Sequence, residues 1–356
     1  MRALSTVAAA TVVVWRLSLR KWYVWIGIGV SVVALWLAFR EVVWDELIAD
    51  LGKANYLWLL PSALALVAAM AARAERWRWL LGGRQRVRWS PAFRALSIGY
   101  LVTNVFPFRL GEVIRPVVLS RSSKVSAMQG LSTIAVEHVL DVLVLLAMLA
   151  VILPGLPLPE DLAIGAQRGA LLFGAAAVVM LLVVWQRERI ERLAAWVLRR
   201  VPRLHAESWL RRFNSAMDGF NAIRSPRLAL ATLAWTIVGW LLSAVSFHLA
   251  LLGFAPGAPF TASLFVTVAT TLALLAPSSP GAIGVLQFAI QRALLVFAIS
   301  ESVGLAYAIV FHLMEMVVMN LLGLVGLAQE DLSWSSLVSQ VRRAEAKPPA
   351  AVVEEA

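Results

Sequence analysis

Two stretches decide how this chain is read: "NVFPFRLGEVIRP" at 104–116 and "LLAPSSPGAIGVLQ" at 274–287. Each interrupts a long apolar region with proline and glycine. Pro107 stands four residues before Gly111, and Pro277 four before Gly281. Further along, each break is followed by an apolar stretch with rare ionisable groups. The first carries Glu137, His138 and Asp141, the second His312 and Glu315, so a His-x-x-acid pair recurs. A duplicated helix-breaking element at membrane depth is the device with which secondary transporters build a site near the bilayer midplane. Two unrelated kinks are the alternative, since proline and glycine are common in transmembrane helices. The joint recurrence of P-x-x-x-G and His-x-x-acid favours a repeat.

Composition agrees with a lipid environment. Hydrophobic residues make up 60%, charged residues only 15%, and the mean hydropathy is +0.79. These values describe a polytopic membrane protein rather than a soluble domain. The net charge of +11 could suggest nucleic acid. The basic residues, however, fall in short segments between apolar spans, which is the positive-inside pattern. No nucleic-acid partner is expected. The chain has no cysteine, which excludes disulfides and thiolate chemistry.

The expected fold is all-α: about six full spans plus two re-entrant helical hairpins in an inverted repeat. A span needs about 20 mostly apolar residues. Such runs lie near 22–40, 56–74, 127–152, 167–186, 227–252 and 303–327, with interrupted regions at 92–120 and 260–299. Repeat 1 covers about 56–152 and repeat 2 about 227–327, inside a transmembrane unit of 22–328. Basic segments before residue 22, at 73–94 and at 187–227 read as cytoplasmic. The acidic or uncharged loops at 41–54, 153–161 and 253–259 read as external. Both termini then lie inside a cell (plasma) membrane, and the two hairpins enter from opposite faces.

Residues 1–21 read as a cytoplasmic lead-in rather than a cleaved signal peptide. Residues 187–226 have apolar positions at helical spacing between arginines. They form either amphipathic helices on the anionic membrane surface or a soluble hairpin packed on the bundle. The tail 329–356 is polar and expected to be disordered. Tryptophans near span ends (Trp22, Trp25, Trp44, Trp58, Trp77, Trp79, Trp89, Trp185 and Trp235) suit an interfacial belt.

Arg109, Glu112 and Arg115 lie beside the first break. Ionisable groups in hydrocarbon cost about 2.5–3.5 kcal/mol each on insertion scales, so they pair or face water. A helix beginning after Gly111 would aim unpaired N–H groups and a partial positive charge at a bound anion. With two arginines, whose planar forks suit phosphate oxygens, this makes a candidate phosphate receptor. The alternative is a cytoplasmic loop with surface ion pairs. Glu137 and Asp141 share a helix face, with Asn104 a candidate partner. They could relay protons, hold a cation, counter the arginines or form a structural Glu137–Arg115 pair.

Around the second break, Pro277, Ser278, Ser279, Pro280, Gly281 and Gly284 supply turn formers and small hydroxyls, with Gln287 and Gln291 beyond. They read as a polar half-site or as a tight turn that lets helices pack. His138, His312 and Glu315 are secondary candidates. Their His-x-x-acid order differs from the Glu-x-x-His of di-iron bundles, so no metal is expected. No ATP-binding motif or other cofactor site is evident.

These residues carry a resemblance. The N-x-x-P-x-R-x-G-E-x-x-R stretch at 104–115, the E-x-x-x-D at 137–141 and PSSPGAIG at 277–284 resemble the lysylphosphatidylglycerol synthase transmembrane region family, also described as flippase-like. The resemblance covers roughly 20–328. It implies that Arg109, Glu112, Arg115, Glu137 and Asp141 line a lipid headgroup path. In fused members, the multiple peptide resistance factors, this region is associated with flipping aminoacylated phosphatidylglycerol that a separate cytoplasmic domain makes. Residues 329–356 leave no room for that domain, so aminoacyl transfer is not expected. Some relatives are linked to polyprenyl-phosphate sugars. The expected partner is therefore a membrane phospholipid or polyprenyl-linked lipid, with a homodimer compatible. Competing readings are a membrane transferase acting on a lipid phosphate, or a scaffold for a partner lipid-modifying enzyme.

Overall fold

The computed structural model describes residues 25–82, 87–106, 109–156 and 225–333, with a few positions in 164–175 and 335–339. The lead-in at 1–21, Pro107, the segment 187–224, most of the expected span 167–186 and most of the tail lie outside these residues. The described chain is helical, with no strand among the described residues: α1 Trp25–Phe39, α2 Trp44–Lys53, α3 Leu59–Leu81, α4 Trp89–Val105, α5 Gly111–Ser122, α6 Ala127–Ile152, α7 Pro226–Leu252, α8 Phe260–Ala273, α9 Val285–Leu295 and α10 Glu301–Gln329. Among them, α3, α6, α7 and α10 are long and apolar enough to cross a membrane. A fifth span results if α1 and α2, bent by 86°, count as one.

Apolar runs dictate most of these boundaries. α6 begins where Ser126 caps it, its hydroxyl accepting from Gln129 N at 3.1 Å. α10 begins the same way, with Ser300 accepting from Val303 N at 3.4 Å. Two expectations need correction. The external loop placed at 41–54 contains α2, with Asp45 and Glu46 in its first turn and Lys53 in its last, matching the helix dipole. The helix expected at 56–74 runs on to Leu81, so Arg73, Arg76 and Arg78 are helical and not part of a basic loop.

Outward faces are apolar: Trp36, Leu60, Leu64, Leu313 and Leu321 are all exposed. Without a hydrophobic drive between helices in lipid, association rests on close packing and interhelical hydrogen bonds. α3 and α7 run antiparallel. Ser62 and Ser246 exchange hydroxyl-to-carbonyl bonds at 2.7 and 2.9 Å near one end, and Arg73 reaches Ser243 towards the other. α4 and α10 are also antiparallel, joined by Asn104–Asn320 at 3.1 Å and Arg94–Glu330 at 2.6 Å.

The contacts come in matched pairs. α3 packs on α4 and α7 on α8; α4 packs on α5 and α8 on α9; α5 packs on α6 and α9 on α10. Across the middle, α4 meets α10 as α8 meets α6.

The second break, between α8 and α9, seats on α1. Ser279 N donates to Ser31 Oγ at 2.9 Å, and Gly284 N donates to Gln287 Oε1 at 2.7 Å. Gly284 has φ +89°, and a Cβ there would stand 2.3 Å from Ser31 O. Gly284→Ala is therefore expected to lower stability by about 1–3 kcal/mol, through strain and overpacking. Thermal unfolding in detergent checks this, and an unchanged transition would contradict the packing described.

Candidate functional site

Helix α6 turns one face, from Glu137 to Leu149, towards a cavity of about 330 Å³. Arg73 and Arg76 of α3, Tyr100 and Thr103 of α4, and Arg109, Glu112 and Arg115 about the start of α5 complete its charged end. Trp240 of α7 closes the side. Val142, Leu145, Leu146 and Leu149 of α6 face Val268, Leu272 and Leu275 at the apolar end.

The charged end is an ion-pair network. Glu137, whose side chain is 4% exposed, accepts a hydrogen bond from Arg115 and lies 3.5 Å from Arg76 Nη2. Asp141 accepts from Arg76 and from Trp240 Nε1, the latter at 2.8 Å. The Arg115 guanidinium lies 5.0 Å from the centre of the Trp77 ring. Trp77 is held in turn by its Nε1 donating to Thr133 Oγ1 at 2.9 Å.

Towards the opening, Arg109 Nε is 3.5 Å from Glu112 Oε1, and His138 Nε2 is 3.2 Å from Glu112 Oε2. Both Arg109 and His138 have half-exposed side chains. Arg73 donates to Ser243 Oγ at 2.9 Å and lies 5.3 Å from the Trp240 ring centre. The lining holds four guanidinium groups (Arg73, Arg76, Arg109, Arg115) and three carboxylates (Glu112, Glu137, Asp141), a surplus of one positive charge before any on His138. Such a lining favours an anion.

Residues 24–323 match the family described as Lysylphosphatidylglycerol synthase TM region. The chain belongs to that family. It is also similar to Glycosyltransferase AglD of Haloferax volcanii, 23% identical over 349 residues, a match taking in 88% of this chain and 55% of that protein. The chain thus spans about half the length of the curated relative it matches.

In this member of the Lysylphosphatidylglycerol synthase TM region family, Arg109, Gly111, Glu112, Arg115, Glu137, His138 and Asp141 are brought together around one cavity. Other candidates are placed differently. Asn104 pairs with Asn320 instead of a carboxylate. The first turn of α5 offers fewer free donors than expected, because Glu112 N and Val113 N already bond to the carbonyls of Arg109 and Leu110 at 2.9 and 3.0 Å.

Pro277, Ser278, Ser279, Pro280, Gly281 and Gly284 do not line the cavity. Their turn packs on α1, and at Gly281 an added Cβ would stand 3.6 Å from Asn104 O, so the two breaks do approach one another. From residues 227–327 the cavity receives Trp240, Val268, Thr271, Leu272 and Leu275, none of them charged. His312 pairs with Gln287 at 2.8 Å, and Gln291 donates to the carbonyl of Ala38 at 3.0 Å. Among the described residues, no three acids or histidines converge as metal ligands.

Sequence reasoning missed Arg73, Arg76, Trp77, Tyr100 and Trp240. The arginines read as loop charges, and Trp77 as interfacial although it is fully buried. No signal for them stood in the sequence, because the apolar run 56–74 is already about the length of a span and ends among these arginines.

Proposed function

We propose that this protein is a lipid translocase that moves an anionic or phosphate-bearing lipid, such as a phosphatidylglycerol derivative or a polyprenyl-phosphate-linked lipid, between bilayer leaflets. The observation that carries this reading is the two-ended cavity, with surplus positive charge at one end and hydrocarbon at the other. From Glu137 to Leu149 the lining of α6 passes from charge to leucine over about 18 Å of helix. That is the pattern an amphiphile needs. Arg109 and Arg73 take the phosphate oxygens. Arg115 and Arg76 are held behind them by Glu137 and Asp141, and the chains leave between α6 and α8.

The architecture we infer is six spans and two re-entrant hairpins, α4–α5 and α8–α9, within one transmembrane unit of 22–328. Antiparallel α3 and α7 and the matched helix contacts support an inverted repeat, the arrangement on which alternating access rests. The remaining loop charges favour cytoplasmic termini and a cell-membrane location.

Purified protein in liposomes is expected to move fluorescent phosphatidylglycerol between leaflets. Arg109 separates function from stability here, because it holds a left-handed turn (φ 51°) that glycine adopts freely. Arg109→Gly is expected to leave the melting transition within about 1 kcal/mol of wild type, since its ion pair is half-exposed. The same change should slow lipid movement about tenfold, the equivalent of one lost charge-assisted contact. Wild-type rates in this variant would refute the assigned path.

A second reading is favoured by the name of the Haloferax volcanii relative: a membrane transferase acting on a lipid phosphate, with Glu137 or Asp141 as base. Both carboxylates are already engaged by arginines, which weighs against it. Covalently altered lipid in a mass spectrum would support it. Inertness towards every lipid, with stable co-purification of an enzyme, would instead support a scaffold.

A further inference from the structure

Helix α2 leaves α1 at 86° and carries faces of three kinds. Leu47, one turn from Leu51, points at the bundle, where the two join a cluster with Val42, Leu305 and Ala306. The neighbouring stripe is apolar and open: Trp44 and Ile48, also one turn apart, are both exposed. Asp45, Glu46 and Lys53 lie exposed around the rest of the helix. Glu46 is two residues from Ile48 and so nearly opposite it. A bundle-facing stripe, an open apolar stripe and a charged face on one ten-residue helix describe an element that meets protein, hydrocarbon and water at once.

The neighbours of the open stripe show what covers it. At its start, Trp44 stacks on Phe39, the last residue of α1, with ring centres 5.3 Å apart. α1 itself turns Val32, Val33 and Trp36 outward. At its end, Tyr56 Oη donates to Leu51 O at 2.6 Å, and Leu57, Leu60 and Leu64 then form the outward face leading into α3. The stripe thus lies between two lipid-facing surfaces and continues them. Arg40, at the corner between α1 and α2, pairs with Glu41 and reaches back over Trp36, 5.5 Å from its ring centre. An exposed arginine with its stem along an apolar surface marks the edge of the hydrocarbon. α2 holds three acids, Asp45, Glu46 and Asp50, against Lys53. Attraction to anionic headgroups therefore does not hold it, and the apolar stripe must.

We infer that α2 is an in-plane interfacial helix, seated on the lipid of one leaflet. Trp44 and Ile48 enter the boundary between headgroups and acyl chains, while Asp45 and Glu46 stay in water. A bend of 86° lays α2 in the membrane plane when α1 stands across it. The span of α1 then ends at the level of Arg40, and α2 is no part of it. Only residence in a membrane is needed for this, whatever the cavity carries. The same corner is fastened to the second half of the bundle. Glu41 takes Arg292 of α9 at 3.2 Å, Gln291 of α9 donates to Ala38 O at 3.0 Å, and Leu47 packs with Leu305 and Ala306 of α10. By resting on the leaflet, α2 fixes the depth at which α9 and the start of α10 sit.

The test uses the full-length protein, which has no cysteine to remove, in phosphatidylcholine vesicles. Nitroxide labels are attached singly to Ile48→Cys and Glu46→Cys, and their collisions with oxygen and with a water-soluble nickel chelate are measured. The label at 48 should meet oxygen and be shielded from nickel, about 5–10 Å into the boundary of headgroups and acyl chains. The label at 46 should lie about 10 Å further out, across the width of the helix, and meet nickel freely. Trp44→Cys and Lys53→Cys, also on opposite sides of α2, repeat the comparison where a first label disturbs the melting transition. Nickel reaching both sides would put α2 in water. Oxygen alone reaching both would sink it into hydrocarbon. An immobile label at 48, shielded from both, would put protein over the stripe, whether a second copy or another part of this chain. Each of these three results overturns the interfacial placement.

Discussion

Glu137→Ala is expected to lower stability by about 3–5 kcal/mol, the cost of removing one partner from a buried ionic cluster. Glu137 sits between two guanidinium groups. Arg115 donates to it, Arg76 lies 3.5 Å away, and its side chain is 4% exposed. Without it, Asp141 alone is left to balance Arg76 and Arg115 in a site that water barely reaches. The change should appear as a large fall in the melting temperature of detergent-solubilised protein and in yield. Glu137→Gln keeps the shape and one acceptor, so it should fall between alanine and wild type.

A paired substitution then separates architecture from function. Arg115→Met combined with Glu137→Leu removes both charges and fills the space, and buried ion pairs replaced in this way are often neutral or more stable. We expect this double variant to recover most of the melting temperature and to move little lipid, because the anion site has lost an arginine. Should it carry lipid at the wild-type rate, the Arg115–Glu137 pair is purely structural and the headgroup path runs elsewhere.

Gly111→Ala is expected to be equally damaging for a different reason. A Cβ at Gly111 would stand 1.8 Å from Gly99 O and 2.4 Å from Thr103 Oγ1. The first of these is backbone and cannot rotate aside. α5 would have to lift off α4, carrying Glu112 and Arg115 away from α6. Overpacking typically costs about 1–3 kcal/mol, and contact with backbone at this range belongs at or above the upper end. Gly99→Ala provides a graded comparison, since its Cβ would meet Gly111 O at 3.0 Å and Arg115 Cβ at 3.1 Å. The two variants should rank in that order by thermal unfolding, and both should slow lipid movement. Equal stability of Gly111→Ala and wild type would show that the two helices do not approach as described.

The contrast between what local chemistry fixes and what packing fixes runs through this molecule. Proline and glycine act on their own backbone, so both breaks could be read directly, as could α6, whose expected bounds of 127–152 are those observed. Membrane residence followed from composition alone. The surroundings of each charge did not. Arg76 and Asp141 are 65 residues apart, and Trp240 lies 99 residues from Asp141. Nothing in the periodicity of α3 distinguishes an arginine that closes a loop from one that enters the bundle. Likewise, the serines and glycines of 277–284 read equally well as a polar half-site or a packed turn. In the structure Ser31 of α1 bonds the N–H and the hydroxyl of Ser279, a contact that no reading of the turn's own residues could supply. Sequence alone therefore determined where the helices break and that the chain lives in lipid, because those properties are set residue by residue. Tertiary structure alone decided which arginine meets which carboxylate, because in a low-dielectric interior each charge must find a partner and only antiparallel packing of distant helices supplies it.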